Sequence, residues 1–395
     1  MVNRVNPSLK GKMGSDVGRG PENWAYNIIF RSHGSAQCQD NLNQFQFIMR
    51  PLHKILPVLL TFLFIFSCSV HGQYATRKLS KKQQAYIDSL KRVEYNYVFP
   101  IWGQQAYSKG FDIPYPAGLM GNYIWMKQGI ILENLQLGMI TDNIDLPLTP
   151  VDFIDFGTNT NTSSAVNFRP DLWVFPFLNV YGLFGYGTTT TEVNLVHPVE
   201  LKSVVNQGMS TAGVGIMGAF GLGPLWMSVD ANWTWTNPEL LEDPVLVRVL
   251  GLRLGKTFQF RNNPEMNVGI WAGGMRVRMG STTVGQIRLG DAIPQETWDR
   301  VDEIVDSYNT WYDSLDPLQK NIVDNSAFPA FIEALDNAEG NAIVRYGMDK
   351  RPTQEWNMVF GAQFQLNKHW QLRSEGGIIG DRKSFLISVN YRFRI

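Results

Sequence analysis

The sequence predicts an all-β transmembrane barrel: antiparallel, up-and-down, about 12 strands (roughly 10–14), with a helical insert in one long loop. Three observations predict it. The terminal stretch from Lys383 to Ile395 has two unlike faces, with Phe385, Ile387, Val389, Tyr391, Phe393 and Ile395 opposed to Ser384, Ser388, Asn390, Arg392 and Arg394. A pleated strand sends alternate side chains to opposite faces, so this one offers an apolar side and a polar side. The same alternation recurs along most of the chain, as it must where each strand of roughly 9–11 residues faces lipid on one side and a lumen on the other. Finally, short and long connections alternate, which matches short periplasmic turns and longer extracellular loops and puts both ends of the barrel in the periplasm.

The N-terminal part reads as addressing rather than fold. From Met49 to Gly72, Arg50 and Lys54 precede an apolar core from Ile55 to Ser67, and Val70-His71-Gly72 offers a cleavage site before Gln73. That is a secretory signal peptide (49–72), cleaved near Gly72; its core is short for a membrane anchor, the competing reading. Residues 1–48 are polar and unpatterned and precede a signal that should begin its chain, so Met49 is the expected start. Cys38 and Cys68 both lie upstream of the cleavage, leaving a mature chain without cysteine and excluding disulfide and thiol chemistry. A second reading keeps Cys68, since Ile65-Phe66-Ser67-Cys68 loosely resembles a lipoprotein box. With 35 basic and 35 acidic residues there is no basic field, and no nucleic-acid partner is expected.

Residues 73–94 form a periplasmic helical segment, with Tyr86, Leu90 and Val93 at helical spacing after a capping Ser80. The barrel is expected over 95–395. Tyr95 to Asp112 is a weak first strand; Ala117 to Lys127 and Ile130 to Ile140 form a hairpin about Gln128-Gly129; Thr141 to Thr162 is a long loop. Val166, Phe168, Leu172 and Val174 then alternate with Asn167, Arg169, Asp171 and Trp173 and turn near Pro176 into Leu178 to Val196. His197 to Gln207 is a loop, and a strand around Ala212 to Phe220 turns at Gly221-Leu222-Gly223-Pro224. Its successor opposes Leu225, Met227, Val229, Ala231, Trp233 and Trp235 to Ser228, Asp230, Asn232, Thr234 and Thr236, with tryptophans where an interfacial girdle belongs. Leu246 to Phe260 turns at 261–264 into Met266 to Met279, where the apolar set changes parity at Gly273-Gly274 and predicts a β-bulge. Met358 to Leu366 turns at 367–369 into Trp370 to Ile378, and 380–382 leads to the last strand.

The insert, 281–355, has a helical period: Trp298, Val301, Ile304, Val305, Tyr308 and Trp311 recur at three- and four-residue steps. Residues 291–340 carry twelve acidic side chains against Arg300 and Lys320. One reading makes this an extracellular lid or plug drawn to lumen-facing Arg169, Arg253, Arg373 and Arg392; the other makes the carboxylates a solvated helical face. Lumen-lining candidates by strand phase are Asp171, Asp230, Asn232, Arg253, Arg373, Glu375, Asn390 and Arg392.

Catalytic chemistry is not expected. The mature chain retains His197 and His369, at opposite ends of the predicted barrel and neither beside a serine, so no triad or metal pair forms. No cofactor is implied. Gly213 to Gly218 copies a dinucleotide loop only superficially, since it lies within a strand and no helix follows.

With its export signal, alternating strands and aromatic-rich terminal strand, the chain resembles bacterial outer-membrane β-barrel proteins over roughly residues 95 to 395, and Gln73 at the mature start suits a Bacteroidota-type product. The resemblance implies a location in the cell outer membrane, contact with its lipid, and recognition of the strand Phe385 to Ile395 by the barrel assembly machinery. Such proteins usually end in phenylalanine, whereas here Arg394 and Ile395 follow Phe393. The leading expectation is a pore or transporter for an unidentified small solute, with the helical insert as cap or plug. Against it stand a non-conducting surface barrel whose insert binds a partner or ligand, and a lipid-acting enzyme.

Overall fold

The computed structural model describes residues 81–263, 265–280 and 282–395. The expectations for 1–48 and 49–72 lie outside them. Two short helices, α1 (Lys81–Leu90) and α2 (Gly103–Ser108), come first. The strands are β1 (Ala117–Ile140), β2 (Asp145–Pro150), β3 (Asp155–Phe156), β4 (Asn159–Phe175), β5 (Leu178–His197), β6 (Leu201–Leu222), β7 (Leu225–Pro238), β8 (Val245–Gln259) and β9 (Asn267–Met279). After β10 (Thr282–Arg288) come α3 (Leu289–Ala292), α4 (Gln295–Trp298), α5 (Val301–Asp313), α6 (Pro317–Asp324) and α7 (Phe328–Asp336). Then follow β11 (Ile343–Pro352), β12 (Trp356–Gln365), β13 (Trp370–Ile379) and β14 (Lys383–Phe393).

Ten of these strands close a barrel among the described residues, and β2, β3, β10 and β11 lie outside the ring. Closure is made by β1, which pairs antiparallel with β14 (Ala117 opposite Phe393, Lys127 opposite Lys383) and on its other edge with β4 (Ala117 opposite Leu172, Ile130 opposite Asn159). A closed ring has no free strand edge, so every ladder position on its perimeter finds a partner.

The ring of ten stands at the low end of the expected range of roughly 10–14, below the central count of about 12, because two expected elements do not form. Residues 95–112 hold α2 rather than a first strand. The hairpin about Gln128-Gly129 is instead one unbroken 24-residue strand, β1. Glycine there marks a close approach, not a turn. The Gly129 N–H donates to the Asp381 carboxylate at 2.8 Å, its carbonyl accepts from the Thr353 N–H at 3.1 Å, and a Cβ would sit 2.6 Å from Asp381 Oδ2. The Gln128 side chain accepts from Arg382 Nε at 2.8 Å. At this level β1 leaves β14 and takes β11 as its partner, from Ile130 opposite Pro352 to Ile140 opposite Ile343.

Three further expectations change. The loops at 141–162 and 197–207 are largely strand: β2, β3 and the start of β4 occupy the first, and β6 begins at Leu201 in the second. The connection 198–200 is consequently as short as those at the opposite end, and so is 380–382, so turn length does not alternate strictly. Nor is there a bulge at Gly273-Gly274, because the registers of β9 with β8 and with β12 run through without a shift. The apolar parity changes there for another reason: the inward face itself turns apolar, with Met275 and Val277 lining the interior.

Outside, large apolar side chains stand exposed on every barrel strand. Val166 is 62% exposed, Phe184 54%, Leu252 47%, Ile270 48%, Leu372 50% and Ile387 48%, with Tyr123, Val214, Trp233 and Phe360 on the remaining strands. Exposed apolar patches on soluble monomers rarely exceed a few hundred Å². A continuous belt around a closed barrel is what hydrocarbon stabilises, and aromatic side chains border it: Trp235 and Trp356 at one rim, Phe260, Trp370 and Tyr391 at the other. This is the architecture of a membrane-spanning barrel.

Two packed clusters flank the belt. Beyond the Trp235 rim, β1, β5 and β6 project past the ring, and α3, α5, α6 and α7 pack on them through Leu289, Ile304, Val323, Phe328 and Leu335, with Phe328 and Leu335 at 0% exposure. At the other rim, Leu90, Ala106, Tyr107 and Ile113 gather α1 and α2. That group is tied to the barrel by the Lys368 to Asp112 ion pair at 3.1 Å and by Arg394 donating to the Tyr115 hydroxyl at 2.7 Å.

Candidate functional site

Strand parity decides what faces the lumen. On β7 the even residues Ser228 to Thr236 point inward; on β13 the odd residues Gln371 to Glu375 do; on β14 the even residues Ser388, Asn390 and Arg392 do. Inward positions at two levels carry different chemistry.

The lower level, toward α1 and α2, is a layer of paired charges. Arg392 of β14 donates to Asp171 of β4 at 3.0 Å and to the Tyr115 carbonyl at 2.8 Å. Asn179 of β5 donates to the same Asp171 at 2.8 Å. The Arg169 guanidinium lies 3.7 Å from the Tyr181 ring centroid, and the Tyr181 hydroxyl donates to Asn232 of β7. Slightly higher, Arg253 of β8 reaches across the lumen to Glu375 of β13 in a two-pronged pair, Nε at 2.6 Å and Nη2 at 2.8 Å, and also pairs with Asp230. Glu375 further accepts from Trp271 Nε1 at 2.8 Å and Arg373 Nη2 at 2.9 Å. Asn390 donates to Gln371 at 3.1 Å. The structure thus joins Asp230, Arg253, Arg373 and Glu375 in one network and Asp171 with Arg392 in another, with Asn232 beside Tyr181 connecting them. Asn390 belongs to neither. A planar guanidinium matched to a carboxylate by two parallel N–H bonds is among the strongest and most directional ion pairs available.

Above this layer the lumen opens into a cavity of about 570 Å³. Its walls are mostly apolar: seven of the chain's 14 methionines line it, among them Met126, Met209, Met275 and Met279, and Phe328 and Phe331 of α7 line its far end. Unbranched thioethers adapt to irregular shapes, so such a wall can accept apolar bodies of more than one outline.

Within that wall lies one polar nest. Lys350 of β11 donates from Nζ to Thr191 Oγ1 at 3.2 Å, and Asn161 Nδ2 donates to Thr191 Oγ1 at 3.0 Å and Thr189 Oγ1 at 2.9 Å. Among the described residues no carboxylate lies within ion-pair distance of Lys350, and burial alone pushes its ammonium down to about 8. The outward neighbours at this level, Thr188, Thr190 and Glu192, are polar, so the nest sits above the apolar belt. Sequence reasoning missed Lys350 because 281–355 was read as one helical insert, with no strand expected in the part that follows its helices. The signal was present: Val344, Tyr346, Met348 and Lys350 share one strand phase against Arg345, Asp349 and Arg351, so a lysine occupies the apolar face of a strand.

The acidic residues of 291–340 do not meet the lumen arginines. Arg253, Arg373 and Arg392 are engaged by barrel carboxylates, while Glu303 and Asp313 pair with Arg300 and Lys320 of the insert itself. The histidines lie at opposite ends of the barrel: the His197 and Trp311 rings pack perpendicular to each other, and His369 Nδ1 lies 2.7 Å from the Arg392 carbonyl.

No protein-family model matches this chain, and no curated protein does. Solved structures that it is similar to are bacterial outer-membrane proteins. The β domain of the Bordetella autotransporter BrkA is 9% identical over 70% of this chain and 100% of that one, with a TM-score of 0.32. The outer membrane protein OprG from Pseudomonas aeruginosa is 9% identical over 72% and 100%, at 0.31, and the Ralstonia pickettii toluene transporter TbuX 9% over 71% and 90%, at 0.27. Likenesses this distant say nothing of what this chain carries or binds; the barrel stands on its own strand pairing.

Proposed function

We propose that this protein is an outer-membrane barrel that receives a small, largely apolar solute in a chamber inside its wall and passes it through the barrel. The observation that carries the reading is the cavity of about 570 Å³ between the charged layer and the helices of the β9–β12 connection, a size typical of small-molecule sites. In this reading those helices are a cap on the extracellular side, and α1 and α2 lie in the periplasm. The charged layer, with Arg253 and Glu375 at 8% exposure, keeps the lumen shut to ions at rest, so transport requires it to part. No chemical transformation of the solute is proposed.

The closed layer also favours a second reading, a surface barrel that holds its ligand without passing it on. Proteoliposomes separate the two. With Met275→Trp and Met279→Trp combined, the chamber is filled; both readings expect loss of binding of a fluorescent apolar probe. Transport further expects the unsubstituted barrel to deliver the probe to the vesicle interior at a rate the filled variant lacks. Binding without delivery supports the receptor, and binding unaffected by filling overturns the chamber itself.

A further inference from the structure

The chamber's one unmatched charge near its upper end specifies more than an apolar ligand. Four cations line the cavity, Arg169, Arg253, Arg373 and Lys350, against two carboxylates, Asp230 and Glu375. Both carboxylates are already committed to Arg253 in the lower layer. Lys350 has no acidic partner among the described residues; it donates to Thr191, and the groups linked to Thr191 through Asn161, namely Thr189 and Ser163, are likewise neutral. An ammonium set in an apolar wall is unfavourable unless something anionic reaches it. Asn161, Thr189 and Thr191 are each at most 9% exposed, so the nest is built into the wall rather than spread on a surface.

We propose that the chamber takes amphipathic monoanions, with the anionic head on Lys350 and Thr191, which Asn161 holds in place, and the apolar tail along the methionine wall. This rests on the chamber reading and names its ligand class. The ammonium and the Thr191 hydroxyl both donate toward a head group placed between them, as a carboxylate requires. Below Thr191, Tyr181 lies ten positions down β5, about 33 Å of strand at ~3.3 Å per residue, so an extended tail has room before it meets the charged layer.

The test uses the full mature protein, native mass spectrometry after release from detergent, and a matched pair of probes, decanoate and decan-1-ol. The expected result is about tenfold or greater preference for decanoate in the unsubstituted protein. Lys350→Met should lower decanoate to the level of decanol and leave decanol binding as it was, and Lys350→Arg should restore at least part of the preference. Equal binding of the two probes to the unsubstituted protein overturns the head-group assignment while leaving the chamber standing, and so does a Lys350→Met variant that weakens both alike. If neither probe binds, or if binding survives the double tryptophan filling, the chamber reading falls and this inference falls with it. The comparison of probes on the unsubstituted protein needs no variant to fold.

Discussion

The lower and upper halves of the lumen are built by the same strands and obey the same alternation, yet they treat charge in opposite ways. On β8 the inward face passes from Arg253 to Val249 and Val247; on β9 it passes from Trp271 to Met275, Val277 and Met279; on β1 it passes from Asn122 to Ile124 and Met126. Below, nearly every cation has a carboxylate, as Arg253 has Glu375 and Arg392 has Asp171. Above, a lysine stands with two hydroxyls and an amide. A charge matched by its neighbours holds the fold, whereas one with hydroxyl and amide neighbours but no counter-charge stays open to the anionic head proposed above.

The comparison is broken most severely by unpairing the lower layer. Glu375→Ala takes its carboxylate from Arg373, leaves Arg253 with Asp230 alone and leaves the Trp271 N–H without its acceptor, and removing one member of a buried pair costs about 3–5 kcal/mol. Urea unfolding followed by tryptophan fluorescence should report that loss, and planar-bilayer recording should show conductance absent from the parent. A stable, silent Glu375→Ala barrel would mean that the layer neither holds nor closes the lumen.

The upper half should answer with the opposite sign. Burial lowers the Lys350 ammonium from 10.5 to about 8 with nothing opposing it, so the folded protein releases a proton that the unfolded chain keeps between those values. Stability should therefore rise as pH climbs from about 8 toward 10.5, the window in which the unfolded state binds more protons. Taken whole, the shift is about 3 kcal/mol; because the side chain faces a cavity that water can enter, roughly 1–3 kcal/mol is the expected gain in Lys350→Met at pH 7. The difference in unfolding midpoint between parent and variant should shrink between pH 8 and pH 10. A variant less stable than the parent at pH 7 would show that Lys350 is a structural contact after all.

Much of the lower half was legible in the sequence. Asp171, Asp230, Asn232, Arg253, Arg373, Glu375, Asn390 and Arg392 all fall on the polar phase of strands whose other phase is unmistakably apolar, and parity survives any error in where a strand begins. The upper half was not, for a physical reason: where the inward face turns apolar, alternation no longer tells inside from outside, and the change reads as a bulge at Gly273-Gly274. Gln128-Gly129 misled in the same region, since a glycine chosen for its closeness to Asp381 carries the same letter as one chosen for a turn. Pairing partners were equally hidden, because that β1 exchanges β14 for β11 depends on residues more than two hundred positions away.

The smallest effect belongs to the most conspicuous charges in the sequence. Asp299, Asp302 and Asp306 lie on exposed faces of the β9–β12 connection, while Ile304 and Tyr308 of the same segment are buried. If attraction to lumen arginines held this segment down, removing the three carboxylates would loosen it, and the loosening would depend on salt, since exposed charges are screened beyond about 8 Å at physiological ionic strength. Those arginines already have partners, and the segment is fastened by Phe328, Leu289 and Leu335, which are fully buried. The triple substitution Asp299→Asn, Asp302→Asn and Asp306→Asn should therefore change stability by no more than about 0.5 kcal/mol at low or high salt. Decanoate binding should also stay the same, because these carboxylates do not line the chamber. A salt-dependent loss larger than that would restore the electrostatic lid and move the decisive charge of the upper half from Lys350 to the helices above it.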